Sequence, residues 1–435
     1  MDHGLNVASL AVLAICIVVW GLFSARLERW NVTAPIAFVV MGILVTHEPL
    51  DVVHVSLESS TLLSTAEITL AVVLFSDAAR INVRELRHNL GLPVRLLAIG
   101  LPLTIGAGFA AAVGLFAGVN LWVAALIAAI VAPTDAALGA PIMQDERVPV
   151  GVRRVLNVES GLNDGIVTPF VNLFLAGALA EEASGSTSLS GAGRDLLVGA
   201  TIGVGVGIVG ALALRFVRSK DWSAPAFQPL SVLGLALFAY AIAVHTGNNG
   251  FVAAFLAGMA YGGATRPEDS LTLEFADGIG ELLSLLVWFA FGAAMVVPGF
   301  EHAGWQDLLF AVLAVTLIRM VPVALATIGS GLDRVTIGFV GWFGPRGLAS
   351  VVFTLIAVDS LVPDQANRVL AAVTVTVVVS VVAHGVSASP LSSRYGRFSA
   401  SLASDDPEHI APGALRTRTS IGQRLDGLRL RGKPS

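Results

Sequence analysis

Thirteen apolar runs, each close to the length a bilayer-crossing helix needs, alternate with short polar stretches along the chain. They fall at 7–24, 32–47, 61–79, 91–117, 120–140, 152–180, 195–216, 228–246, 249–264, 274–297, 305–328, 334–357 and 366–387. The second and ninth are the shortest. The runs are continuous rather than alternating, so they predict α-helices and argue against a β-barrel. Beyond residue 388 the pattern stops. The segment 388–435 is rich in Ser, Arg, Pro and Gly, which predicts a mostly disordered, solvated tail.

Composition agrees with this pattern. Of 435 residues, 55% are hydrophobic and 13% charged, about half the charged share of a soluble domain, and the mean hydropathy is +0.79. The single cysteine, Cys16, excludes an internal disulfide and a cysteine metal site. "MDHGLN" lacks the positive region of a cleaved signal, so the first run is expected to be a retained helix with its N-terminus outside. With thirteen spans the C-terminus then lies in the cytoplasm. On that topology 22 of the 26 Lys and Arg residues fall on the inner side and two, Arg194 and Arg368, on the outer, a distribution the positive-inside rule favours. One missed span would scramble it. The expected protein is therefore an all-α polytopic membrane protein of the cell membrane.

Two arginines remain, Arg319 and Arg346, both inside apolar runs, and neither lysine lies inside the membrane. Acids lie there too. "LNVESGLNDGIVTPF" places Glu159, Ser160, Asn163 and Asp164 within two helical turns, with Asp164 about 18 Å in from the start of its span. A charged side chain at that depth costs at least ~2.5–3.5 kcal/mol, so it is retained where it is used. Ser160 and Asp164 are four apart and share a face, as do Glu159 and Asn163. Carboxylate and hydroxyl oxygens together suit a hard cation such as Na⁺.

The preceding span carries "VAPTDAALG", with Pro133, Thr134 and Asp135. Proline frees carbonyls on the turn before it, and at membrane depth these need cover from protein or a wet cavity. Carbonyls, Thr134 and Asp135 are candidates to complete an oxygen site with Asp164; a capping role is the alternative for Asp135. Seven spans later, "GWFGPRGLASVV" carries Pro345 and Arg346 in a helix of opposite orientation. Two Pro-interrupted helices of opposite orientation are the pattern of an inverted-repeat transporter. Arg319 needs a buried anion; Glu159 is the expected partner and Glu281 the rival. Arg346 either caps carbonyl ends of a broken helix or answers Asp135. Asp77 is expected to pair with Arg80 at the membrane interface, and His245 and His384 to be hydrogen-bonded structural histidines. Gly203 and Gly207 have the spacing of a close helix contact.

The set "APTD", "ESGLND", the arginine of "TLIRMVPV" and "GPRG" resembles the cation/proton antiporters of the Na⁺/H⁺ exchanger type, including their bacterial NhaP-like members, over about residues 7–387. The resemblance implies the NhaA-like antiporter fold: thirteen helices, inverted repeats and two crossing broken helices. It implies a homodimer with an ion-binding core that includes 61–180 and 274–387. Dimerisation helices would include 7–47 and 195–264. Asp164 would be the shared cation and proton site, with Thr134, Ser160 and Asp135 ligating or ordering it. Asn163 would be the amide of the Asn-Asp pair, Glu159–Arg319 a structural ion pair, and Pro133, Pro345 and Arg346 supports of the broken helices. The chain departs from the pattern at Gly161, Gly165 and Ala136.

One carboxylate serving two positive guests couples their flows, because like charges disfavour holding both together. Asn163 adds no second titratable proton and no intramembrane lysine carries one, so electroneutral exchange of one proton per monovalent cation is expected. Na⁺ is the first expectation, with Li⁺ and K⁺ as alternatives; the other partners are H⁺ and the lipid bilayer. Neither a cofactor nor a nucleic-acid partner is expected. A cation channel would need a continuous pore rather than one midplane cluster. A hydrolase is disfavoured because "NVESG" lacks the first glycine of a G-x-S-x-G elbow.

Overall fold

The structure, a computed structural model, describes residues 7–30, 32–46, 57, 59–80, 91–182, 189–265, 270–402 and 406–409. Arg84, Arg87, Arg266, the first six residues and the tail beyond 409 lie outside the described residues. Among the described residues the elements are helical. They are α1 (Val7–Glu28), α2 (Ala34–Thr46), α3 (Ser60–Ala79), α4 (Gly91–Leu115), α5a (Leu121–Val131), α5b (Ala136–Met143), α6 (Val150–Glu182) and α7 (Leu189–Ser219). There follow α8 (Gln228–His245), α9 (Gly250–Ala264), α10 (Ser270–Ala290, continued to Glu301), α11 (Trp305–Val315, then Leu317–Ala326), α12a (Arg334–Trp342), α12b (Leu348–Ser360) and α13 (Pro363–Ser399). Among the described residues ten helices are long and apolar enough to cross a membrane, and 34–46, 250–264 and 348–360 are shorter apolar helices.

Where a hydrocarbon surround offers no partners, each backbone N–H and C=O must be met within the protein, and helices achieve this except at their ends. Short polar residues close several of those ends. Asn120 accepts from the Trp122 N–H (2.8 Å), Asn249 from Val252 (2.8 Å) and Asp333 from Val335 (2.7 Å).

Glycine sets how the helices pack. Gly203 and Gly207 lie on the Ala253 and Ala257 backbone of α9 so closely that a Cβ would collide with the carbonyls. Gly258 and Gly262 of α9 lie likewise on Phe75 and Ala79 of α3, and Gly42 and Gly292 interlock α2 with α10. The GxxxG spacing in α7 is thus a packing face. Helices α2, α3 and α7–α10 share these contacts, while α4–α6 and α11–α13 pack on one another. Helix α3 packs mainly on α8, α9 and the first half of α10, and also touches α6 and α12b.

Two expectations change at the chain's end. Helix α13 runs to Ser399 rather than stopping at 387, and Tyr395 on its extension hydrogen-bonds Thr336 (3.0 Å) and stacks on Phe339 (4.1 Å). Further on, buried Glu408 accepts the N–H of Asp333 (3.0 Å). The loop between α5b and α6 is fastened to the same extension: Arg147 donates to Ser393 (2.5 Å) and holds the Asp145 carboxyl below its usual range. At the other end of the molecule, Arg368 pairs with fully buried Asp307 and lies over the Phe116 ring.

Candidate functional site: a crossing of two broken helices

Helices α5 and α12 each lose their helical hydrogen bonding midway, at 132–135 and 343–347, and cross there. A break leaves C-terminal carbonyls and N-terminal amides without partners, partial charges of opposite sign at one depth. The sequence supplies a group for each. Arg346, with no exposed surface, donates to the carbonyls of Ala132, Pro133 (3.3 Å) and Ala314 (3.0 Å). Ser350 donates to Ile130 O (2.7 Å). Of the two roles open to Arg346, carbonyl capping is the one found.

Asp135 serves both amide ends. Its Oδ1 accepts from Leu138 N (2.9 Å) at the start of α5b, and its Oδ2 accepts from Leu348 N (2.8 Å) at the start of α12b. Its own N–H donates to Pro345 O (2.7 Å). Gly347 is required here because a Cβ at 347 would overlap the Asp135 carboxyl group. Asp135 was expected to ligate or order the ion site; its hydrogen bonds to Leu138 and Leu348 are those of a double helix cap.

Helix α6 presents the remaining groups. Glu159, Ser160, Asn163 and Asp164 are all at most 9% exposed, in an environment where each charge needs compensation. Arg319 of α11 meets Glu159 with both guanidinium nitrogens (2.5 and 2.9 Å), a bidentate pair. Gly344 leaves room for it, since a Cβ there would stand 2.6 Å from Arg319 Nε. Glu281, the rival partner, instead lines a cavity of about 280 Å³ with Glu28, Gln144, Asn157 and His384. Thr134 and Ser160 hydroxyls lie 3.0 Å apart, and Asn163 Nδ2 donates to Thr134 Oγ1 (2.7 Å). The Asn163 amide oxygen is buried without a partner. Thr168 donates to the Asp164 carbonyl (2.8 Å).

Glu159, Ser160, Asn163, Thr134, Asp135, Arg319 and Arg346 thus converge as the sequence suggested. Three carboxyl side chains (Asp135, Glu159, Asp164) and two guanidiniums (Arg319, Arg346) are buried on these helices.

Three participants escaped the sequence reading. Asp277 of α10 pairs with the Arg80 guanidinium and accepts from Ser76. The Asp77 side chain stands beside Gly161 of α6, its Cβ 3.9 Å from where a residue-161 Cβ would lie. Ser350 and Ser380 brace the α12 break. None of these has a local signal, because each partner lies on another helix.

Two broken helices crossing at a buried polar cluster are the architecture found in secondary transporters. The family model for the transmembrane sodium/hydrogen exchanger matches residues 10–394, and the chain belongs to that family as a multi-pass membrane protein. Relatives include the K⁺/H⁺ antiporter NhaP of Alkalimonas amylolytica, 27% identical over 89% of this chain and 66% of that one. Another is the Na⁺/H⁺ antiporter ApNhaP of Aphanothece halophytica, 26% identical over 66% of this chain and 57% of that one. The chain thus spans two thirds or less of these relatives' length. The solved structure of the sodium proton antiporter MjNhaP1 from Methanocaldococcus jannaschii at pH 8 shares the fold. Its TM-score is 0.72 at 21% identity, covering 89% of this chain and 98% of that one.

Proposed function

We propose that this protein exchanges a monovalent cation for H⁺ across the cell membrane by competition at Asp164. The observation that carries this reading is the buried oxygen cluster within a turn of Asp164, where the Thr134, Ser160 and Asn163 side chains meet at the break of α5 and the Asn163 amide oxygen has no hydrogen-bond partner. The guest completes the site; as a cation it takes carboxylate oxygen from Asp164 and neutral oxygens from Thr134, Ser160 and Asn163. As a proton it sits on Asp164 itself. Asp135 and Arg346 act by holding the two half-helix ends in place. Both related names, K⁺/H⁺ and Na⁺/H⁺ antiporter, suit such an oxygen set, and Na⁺ remains the first expectation with Li⁺ and K⁺ as alternatives. A homodimer through α1 and α7–α9 belongs to the same reading. In its support, α7 turns Leu197, Val209, Leu212 and Phe216 outward.

The test is Asp164→Asn in proteoliposomes with a trapped pH dye, titrated with Na⁺, K⁺ and Li⁺. The variant inserts and folds, and shows no cation-dependent proton flux; wild-type rates would move the site elsewhere. Stoichiometry is checked in the same vesicles. With Asn at 163 and no intramembrane lysine, exchange is one to one, so a membrane potential set by an ion other than Na⁺, K⁺ or Li⁺, with no gradient of these three, drives no wild-type flux. Voltage-driven exchange would refute that ratio.

A further inference from the structure

Helix α13 is fastened to one half of each broken helix, α12a and α5b. The residues of α12a that it holds recur every third position, so they lie on one face. Trp342 Nε1 donates to Ser387 Oγ (2.9 Å). Tyr395, 2% exposed, stacks on Phe339 (4.1 Å between centroids), with its hydroxyl 3.0 Å from that of Thr336. Beyond the helix, Glu408, also 2% exposed, accepts the Asp333 N–H at the start of α12a (3.0 Å). His409 Nε2 lies 3.2 Å from the Ser399 carbonyl oxygen, which ties that turn back to α13.

The tie to α5b runs through the loop that follows it. Ser393 accepts from Arg147 (2.5 Å), and Gly396 lets α13 close on that residue, since a Cβ at 396 would stand 2.8 Å from Arg147 Cβ. Arg147 in turn grips the Asp145 carboxylate (2.7 Å), and the Asp145 N–H donates to Ile142 O in the last turn of α5b (3.2 Å). Each half-helix joins its other half only through a non-helical stretch, 132–135 or 343–347, so α13 fixes where both stand. Their position reaches the oxygen cluster. The Gly344 N–H donates to Trp342 O (2.9 Å), which makes this residue a direct continuation of the end of α12a. It has no room to spare, for a Cβ at 344 would stand 2.9 Å from Thr134 Cγ2. A shift of α12a therefore presses on Thr134, whose hydroxyl meets Ser160 (3.0 Å) and the Asn163 amide (2.7 Å). A shift of α5b pulls on Asp135, its cap.

We propose that α13 beyond residue 388 is a splint that sets the spacing of the two half-helices, with Tyr395, Arg147 and Glu408 as its positioning residues. Supporting contacts of this kind hold a binding constellation to within a fraction of an ångström. Loosening one tie disturbs both breaks. It weakens cation binding by displacing Thr134, and it leaves Asp164 and the movement between helix groups intact. The effect on cation binding rests on the antiport reading; the mechanical coupling of the two breaks does not.

Two measurements on the full chain test it. In nanodiscs, Glu408→Ala and Arg147→Ala each raise amide hydrogen exchange roughly threefold or more in peptides covering 333–347 and also in those covering 132–143. Glu408→Gln, which still offers an acceptor oxygen to Asp333, leaves both at the wild-type level. A rise confined to the half-helix that has lost its own tie, or a Gln variant as loose as the Ala variant, overturns the proposal. In proteoliposomes, the two Ala variants raise the apparent KM for Na⁺ or K⁺, whichever the wild type carries, by roughly threefold or more, with the maximal rate within about twofold. Glu408→Gln restores the KM. An unchanged KM, or a maximal rate that falls in step with a lowered melting temperature, overturns the positioning role. Wild type without cation-driven flux would defeat the antiport reading instead, and the hydrogen-exchange comparison would still decide the splint.

Discussion

At the scale of single residues, the crossing is governed by which charges have partners. Glu159 and Arg319 are 3% and 5% exposed, so neither ion is tolerable alone. Glu159→Ala leaves the guanidinium buried without its anion, at a cost of about 3–5 kcal/mol. The expected outcome is lower yield and a lower melting temperature in detergent, with any surviving protein still exchanging cations. Unchanged melting together with lost flux would make Glu159 part of the transport chemistry instead. This pair was legible from the sequence because guanidinium does not deprotonate and few acids lie at its depth. The double role of Asp135 was not. Its second acceptor contact goes to Leu348, 213 residues away, and no local pattern announces which amides will arrive. Arg80 teaches the same: Asp277, on another helix and 197 residues away, meets its guanidinium, and nothing near Arg80 in sequence points to it.

At the scale of elements, the two breaks depend on small residues as much as on prolines. Pro133 and Pro345 mark where the helices stop, and both were readable. Gly347 is what lets the second break close on Asp135, because its missing side chain is the space the carboxyl group occupies. Gly347→Ala pushes the Asp135 carboxyl off at least one helix end, an overpacking cost of about 1–3 kcal/mol. A thermal-shift assay should show that loss, and flux should fall with it; an unaltered melting curve would mean the cap is dispensable. Hydropathy located the spans well but not the end of α13, for a physical reason. It reports hydrocarbon contact, whereas the last turns are held by Tyr395 on Thr336 and Ser393 on Arg147, contacts a polar helix makes outside the apolar layer. The interruption of α11 at Thr316 likewise has no proline or glycine to signal it.

At the scale of the molecule, the two helix groups meet beside Asp164. Gly165, the next residue, faces the Phe255 ring of α9, and any Cβ at 165 would fall inside that ring. Nearby, Phe251 of α9 meets Phe353 of α12b edge to face at 6.1 Å. The alternating access of the proposed exchange moves one group of helices against the other, and the Gly165–Phe255 contact lies on that seam. The glycine after the acid, a departure from the family pattern, is then a clearance for the ring. Gly165→Ala forces the buried ring, which has few rotamers, to move away from α6. Flux should drop by about tenfold, equivalent to ~1.4 kcal/mol, and cation affinity should change less, because Asp164 itself is untouched. The double variant Gly165→Ala with Phe255→Leu should recover most of the rate, since the smaller side chain restores the gap. If Phe255→Leu leaves the Gly165→Ala defect in place, the clearance is not what limits movement, and the sliding surface lies elsewhere between the groups.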